Sequence, residues 1–227
     1  MIVIGIFGSP IKNCNTDPAV KMVMGATMAR KQWFYKLSDY KISHCNACLG
    51  CVESNRCVID DDGVMLAEKA YKADVIIIGG YTPYSSLDSR TKSFLERLYP
   101  LRHRHGLMDG KPGAAVVTCA IPPGKDGMPP ACENGLMAIQ NYMMEEGMRY
   151  VGGVSALGNV PCVRCKSGIQ CQVSGLKMIH GPDATTEKVG INTLEDNPET
   201  VAALKKLGED LLAAYDGKQP GARRPRP

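Results

Sequence analysis

The chain has 227 residues, 44% of them hydrophobic, enough to bury a sizeable core in one large domain. Its net charge of +4 equals the four positive charges of the final GKQPGARRPRP stretch (Lys218, Arg223, Arg224 and Arg226), so the body is not basic and nucleic-acid binding is excluded by composition. No run of about eighteen apolar residues is present and no charged leader precedes the first apolar run, so the expectation is a cytoplasmic protein with no membrane contact. Ten cysteines in such a chain imply a reducing setting, where clustered thiols bind metal or do chemistry more often than they staple a fold.

Residues 2–7, IVIGIF, form a continuous apolar run stopped by Gly8-Ser9-Pro10, the pattern of a strand buried on both faces of a parallel sheet. A helix is expected over 17–31, opened by Thr16-Asp17-Pro18, and then a short strand over 33–39. A second helix, 62–72, follows the acids Asp60, Asp61 and Asp62, which suit a helix start rather than a divalent site. The run DVIIIGG at 74–80 reads as a strand, 88–99 as a helix opened by Asp88, and GAAVVTCA at 113–120 as a strand. A helix over 132–147 and a weaker strand over 148–157 complete the alternation. Residues 157–196 have no clear period and hold three cysteines, too long for a plain loop. NPET opens a last helix over 197–215, and 217–227 reads as a disordered basic tail.

Five strands alternating with helices give an α/β fold, a doubly wound parallel sheet in the flavodoxin-like order 2-1-3-4-5, as one domain over 1–216. Such sheets bind ligands beyond the carboxyl ends of their strands. The loop GSPIKNCNT, Gly8 to Thr16, offers Ser9, Lys12, Asn13, Asn15 and Thr16 around a helix start, groups that suit a phosphate. It is neither a Walker A loop nor a GxGxxG fingerprint, which favours a flavin monophosphate over NAD or ATP; the plain alternative is a helix-capping turn. After the third strand, Gly79-Gly80 would let the backbone approach a ligand, Tyr81, Pro83 and Tyr84 could form a flat wall, and Ser85 and Ser86 offer hydroxyls.

Cys45, Cys48, Cys51 and Cys57 follow the spacing C-x2-C-x2-C-x5-C. Structural zinc usually draws two pairs from separate knuckles, whereas successive x2 gaps wrap one loop around a compact object, with Gly50 easing the turn. A 4Fe–4S cluster is the leading reading; zinc and disulfides or free thiols are the alternatives. A second set, Cys162, Cys165 and Cys171, has the spacing C-x2-C-x5-C, with Cys119, Cys132 or His180 as candidate fourth ligands. It reads as a second metal or iron–sulfur site, a redox C-x-x-C pair, or buried thiols.

These residues resemble the iron–sulfur flavoproteins, within the NADPH-dependent FMN reductase-like branch of the flavodoxin superfamily. GSPIKNCNT is similar to the family's G-S-P-R-K-x-G-N-T loop, the compact cysteine motif and CVIDDD match, and YTPYSSLDSRTKSFLER corresponds to the flavin loop and helix. The resemblance implies that Ser9, Lys12, Asn15 and Thr16 hold the FMN phosphate. It also implies that Pro83, Tyr84, Ser85 and Ser86 line the ring with Thr118 and Cys119. Ile11 stands where Arg is common, and Cys14 where Gly is usual.

Carried over, the function is a redox protein with FMN and a 4Fe–4S cluster. It would pass electrons from reduced ferredoxin or NAD(P)H to a quinone, peroxide, dioxygen or protein acceptor, as a homodimer or homotetramer. The competing readings are a zinc-stapled, NAD(P)H-dependent FMN or quinone reductase, and a non-enzymatic flavodoxin-like carrier.

Overall fold

The computed structural model describes residues 1–165, 167 and 170–217; the basic tail beyond Gly217 lies outside the described residues. Five strands, β1 (Ile2–Phe7), β2 (Lys31–Lys36), β3 (Val75–Tyr81), β4 (Pro112–Cys119) and β5 (Arg149–Leu157), pair in parallel in the order β2-β1-β3-β4-β5. The main helices are α1 (Thr16–Ala26), α2 (Asp62–Lys72), α3 (Ser89–Arg97) and α4 (Ala131–Glu145). Among the described residues three short helices follow β5, namely α5 (Cys162–Cys165), α6 (Gly175–His180) and α7 (Thr186–Val189), and then α8 (Pro198–Asp216) packs against the sheet. The expected order and helix pattern are therefore borne out.

Alternation along the strands divides the core in two. Val3, Val75, Ile77, Ala114 and Val116 face Val20 and Val23 of α1 and Leu204 and Leu211 of α8. Ile4, Ile6, Ile76, Ile78, Ala115 and Val117 face Leu66, Phe94, Ile139 and Met143 of α2, α3 and α4. Because both faces of the central strands are covered, those strands read as unbroken apolar runs.

Helix α1 ends at Ala26, five residues before its expected end. There the Thr27 hydroxyl donates to the Met24 carbonyl at 2.6 Å, and Met28 turns the chain at φ 53° into β2, which starts at Lys31. Gly79 also has another role than the expected one. A Cβ there would sit 2.6 Å from Val20 Cγ2 and 2.8 Å from Phe7 Cβ, so its missing side chain lets α1 pack on the sheet rather than opening the backbone to a ligand.

Glu146, just past α4, is buried, with Oε1 3.6 Å from Arg102 Nη1 and Oε2 without a partner among the described residues. Burial pushes its carboxyl up from 4.5 to about 7, with the Arg102 charge opposing and Glu145 adding. A carboxyl raised in the folded state contributes stability that is full below about 4.5 and falls as pH rises to about 7. Thermal unfolding across pH 5 to 8 should therefore show a decline in Tm in the native chain. That decline should flatten in Glu146→Gln, and an unchanged slope would remove Glu146 as its source.

Candidate functional site

At the carboxyl ends of the strands a cavity of about 380 Å³ is lined from four successive strand ends. The loop after β1 supplies Ser9, Lys12, Asn13 and Asn15; β3 and its exit supply Tyr81, Thr82 and Pro83; β4 supplies Thr118 and Cys119. Its size lies within the usual range for small-molecule sites. The β1 loop is held by several contacts. Asn13 is left-handed at φ 55°, Lys36 Nζ donates to the Ile11 carbonyl at 3.0 Å, and Asn15 Nδ2 donates to the Leu157 carbonyl at 2.8 Å.

The remaining expected ligands lie elsewhere. Thr16 is fully buried outside the cavity wall, its hydroxyl 2.6 Å from that of Thr118. Tyr84, Ser85 and Ser86 do not line the cavity; Tyr84 and Ser85 are both left-handed, and the Tyr84 ring stands in solvent. Other residues complete the wall: Thr82, whose buried Oγ1 has no partner among the described residues, and Asn159, Arg164 and Ile191 from the segment after β5. Arg164 adds a cation to the lining besides Lys12. The sequence offered one hint of it, the missing Arg at Ile11.

The four clustered cysteines share one pocket. Cys45, Cys48, Cys51 and Cys57 line a single pocket walled by Leu49, Val58, Ile59, Tyr99, Pro100 and Arg97. Among the described residues, no three His, Cys, Asp or Glu side chains are gathered as a single metal ion requires. The loop is tightly wound, with Ala47, Leu49 and Asn55 left-handed at φ 52°, 58° and 49°. Gly50 is not itself a left-handed turn residue; a Cβ there would come within 2.9 Å of Val58 Cγ1, so it permits close passage. Asn55 Nδ2 donates to the carbonyls of Pro100 and His103, both at 2.7 Å.

One buried ion pair closes the loop. Arg97 Nη1 lies 2.8 Å from Asp61 Oδ2, with side-chain exposures of 0% and 4%. Arg97 also donates to the carbonyls of Ser43 (2.9 Å) and Ile59 (3.2 Å), and Asp61 accepts from the N–H groups of Ser43 (2.7 Å) and Gly63 (2.9 Å). Burial works against the Asp61 charge, but hydrogen bonds from Arg97, Ser43 and Gly63 outweigh it and lower its carboxyl to about 2. Burial likewise opposes the Arg97 charge, and Asp61 and Cys57 more than restore it. At Cys51 burial pushes the thiol up, and Cys57, Cys45 and Cys48 add to the shift.

Cys162, Cys165 and Cys171 line another pocket with Ser174 and Glu187. Burial pushes the Cys162 thiol up, but hydrogen bonds from the Leu176 backbone, the Ser174 hydroxyl and the Gly175 backbone outweigh it and lower it below its ordinary value. Cys119 and Cys132 form a disulfide with Cα atoms 5.6 Å apart. That pairing corrects the expectation that either serves as a fourth ligand to this set. His180 lines a separate pocket beside Val163 and Leu176.

Residues 1–147 match the family described as NADPH-dependent FMN reductase, and the chain belongs to that family. It is 28% identical over 166 residues to an iron–sulfur flavoprotein of Methanosarcina thermophila, covering 70% of this chain and 82% of that protein. A second iron–sulfur flavoprotein, from Methanocaldococcus jannaschii, is 29% identical over 154 residues, covering 67% and 76%. In fold the chain is similar to an NADH:FMN oxidoreductase in its apo form, with TM-score 0.56 and 12% identity over 97% of this chain and 91% of that one. It is also similar to oxidised flavodoxin 1 from Bacillus cereus, with TM-score 0.54 and 14% identity over 94% and 98%. The protein is a flavin-dependent oxidoreductase, and the resemblance read from the GSP loop and the cysteine spacing is borne out. Among the described residues no helix is long and apolar enough to cross a membrane.

Removing Arg97 would leave Asp61 buried and unpaired. Arg97→Met should cost about 3–5 kcal/mol in urea unfolding. A carboxyl lowered in the folded state contributes stability present above about 3.8 and lost as pH falls through about 2. The advantage of the native chain over Asp61→Asn should thus be full at pH 6 and shrink at pH 3. An equal gap at both would contradict the ionised pair.

Proposed function

We propose that this protein carries FMN and a 4Fe–4S cluster and passes electrons between reduced ferredoxin or NAD(P)H and a quinone, peroxide, dioxygen or protein acceptor. The observation that carries the reading is a pair of separate pockets, one lined by loops at the strand ends and one by four thiols of a single loop.

Ser9, Lys12, Asn13 and Asn15 would hold the flavin phosphate, with Arg164 supplying further positive charge. Tyr81, Pro83, Thr118 and Cys119 would face the ring. The buried Thr82 hydroxyl, which has no partner among the described residues, fits a polar edge of the ring. Cys45, Cys48, Cys51 and Cys57 would ligate the cluster. The Ala47 N–H, 3.4 Å from the Cys45 sulfur, would tune the potential of such a cluster. When bound, FMN exchanges electrons in pairs or singly and the cluster exchanges one at a time, so the protein links two-electron to one-electron partners.

The two pockets share no lining residue, and α3 separates them. Tyr81 to Pro83 precede the helix, whereas Glu96, Arg97 and Tyr99 lie at its far end. Nine residues of helix span about 14 Å. This separation supports a homodimer or homotetramer in which the cluster of one subunit faces the flavin of another.

Anaerobic purification with iron, sulfide, zinc and FMN analysis tests the reading. About four irons and four sulfides per chain with bound FMN are expected. One zinc without sulfide would favour the zinc-stapled FMN or quinone reductase, and reduction without turnover would favour a carrier. Cys48→Ala should lose iron and keep FMN. Lys12→Ala should weaken FMN binding about tenfold or more while iron is retained. Loss of both cofactors in either variant would contradict the division into two sites.

A further inference from the structure

Cys119 closes β4 and lines the proposed flavin cavity, and its disulfide partner Cys132 opens α4. The two are 3% and 2% exposed and pack with Ala131 and Ile121. Bulk thiols therefore have little access to the sulfurs from solvent, whereas a molecule in the cavity lies against Cys119. The surroundings also suit the opened form. The Ile121 carbonyl lies 3.5 Å from Cys132 Sγ, in place to accept the proton of a free thiol. Between the cysteines, Gly124 and Gly127 are left-handed, and residues 123–127 are exposed.

We propose that Cys119 and Cys132 are a dithiol–disulfide pair that exchanges two electrons with the flavin in the adjacent cavity, giving the protein a two-electron store. The proposal rests on the flavin reading above. In the reducing direction the S–S bond breaks, the two sulfurs gain one electron pair and two protons, and two thiols result. The electron pair comes from reduced FMN, which returns to its oxidised form; the protons come from it and from solvent. The electrons that reduce FMN come from the NAD(P)H or ferredoxin donor. In the reverse direction the dithiol returns the pair to oxidised FMN. No external oxidant is needed.

The test uses the holoprotein under anaerobic conditions. The bound flavin is reduced by light or donor and followed by its visible spectrum, and samples are acid-quenched, unfolded and alkylated before peptide mass spectrometry. Cys119 and Cys132 should be protected from alkylation in the oxidised protein, alkylated after the flavin bleaches, and protected again after anaerobic reoxidation with ferricyanide. In reductive titration, Cys132→Ala should bind FMN and take up two fewer electrons per chain than the native protein. A flavin that bleaches fully beside a closed disulfide overturns the proposal alone, as do two thiols already free in the oxidised protein. A protein that holds no flavin overturns the functional reading and this one with it.

Discussion

The cysteine loop depends on one buried guanidinium. Between β2 and α2 the chain runs from Leu37 to Asp61 with only a single 3-10 turn of regular structure. Such a segment has few backbone bonds of its own to fix its path. Arg97 reaches into it from α3 and gathers Ser43 before the cysteines, Ile59 and Asp61 after them. Asp61 answers from the other side by accepting from Ser43 and capping α2 through Gly63. Both ends of the cysteine segment are thus tied at one point, which offsets the entropy of closing the loop. Because burying two charges is costly, the role of the pair is better read as holding a shape than as adding stability.

The same helix organises the other pocket from its opposite end. Asp88 is 1% exposed and caps α3, accepting from Thr91 N at 2.9 Å and from the Thr91 hydroxyl at 2.7 Å. It also accepts from Tyr81 N at 3.2 Å, while its own N–H donates to the Tyr81 carbonyl at 2.9 Å. These bonds pin residues 82–87 as a short loop with Tyr84 and Ser85 in left-handed backbone. α3 therefore acts as a strut, fixing the cavity wall at Asp88 and the cysteine loop at Arg97. Changes that tilt it would move both sites together.

Much of this was legible in the sequence, for physical reasons that also mark where legibility stops. Strands buried on both faces read as continuous apolar runs, so those at 2–7, 74–80 and 113–120 declare themselves, and their alternation with helices implies a doubly wound parallel sheet. Ser9, Lys12, Asn13 and Asn15 were legible because a strand end fixes where a loop must sit. Asn159, Arg164 and Ile191 were not, because α5, α6 and α7 are too short to print a period. The Cys119–Cys132 bond was hidden for a similar reason. Its partners stand 13 residues apart without a motif, and only the packing of α4 against the end of β4 brings them together. Gly79 and Gly50 were visible as special positions, but whether a glycine serves a ligand or a neighbouring side chain is a question of packing that spacing does not answer.

The thiols illustrate how environment sorts one residue type into different chemistries. Cys162 gains donors from Leu176, Ser174 and Gly175, so its anion is favoured despite burial. Cys51 has no such excess: burial raises it, and three more thiols add to the shift. Burial and its sulfur neighbours therefore work against the deprotonated form of Cys51. The Arg97–Asp61 tie fixes the two ends of the segment that carries these four thiols.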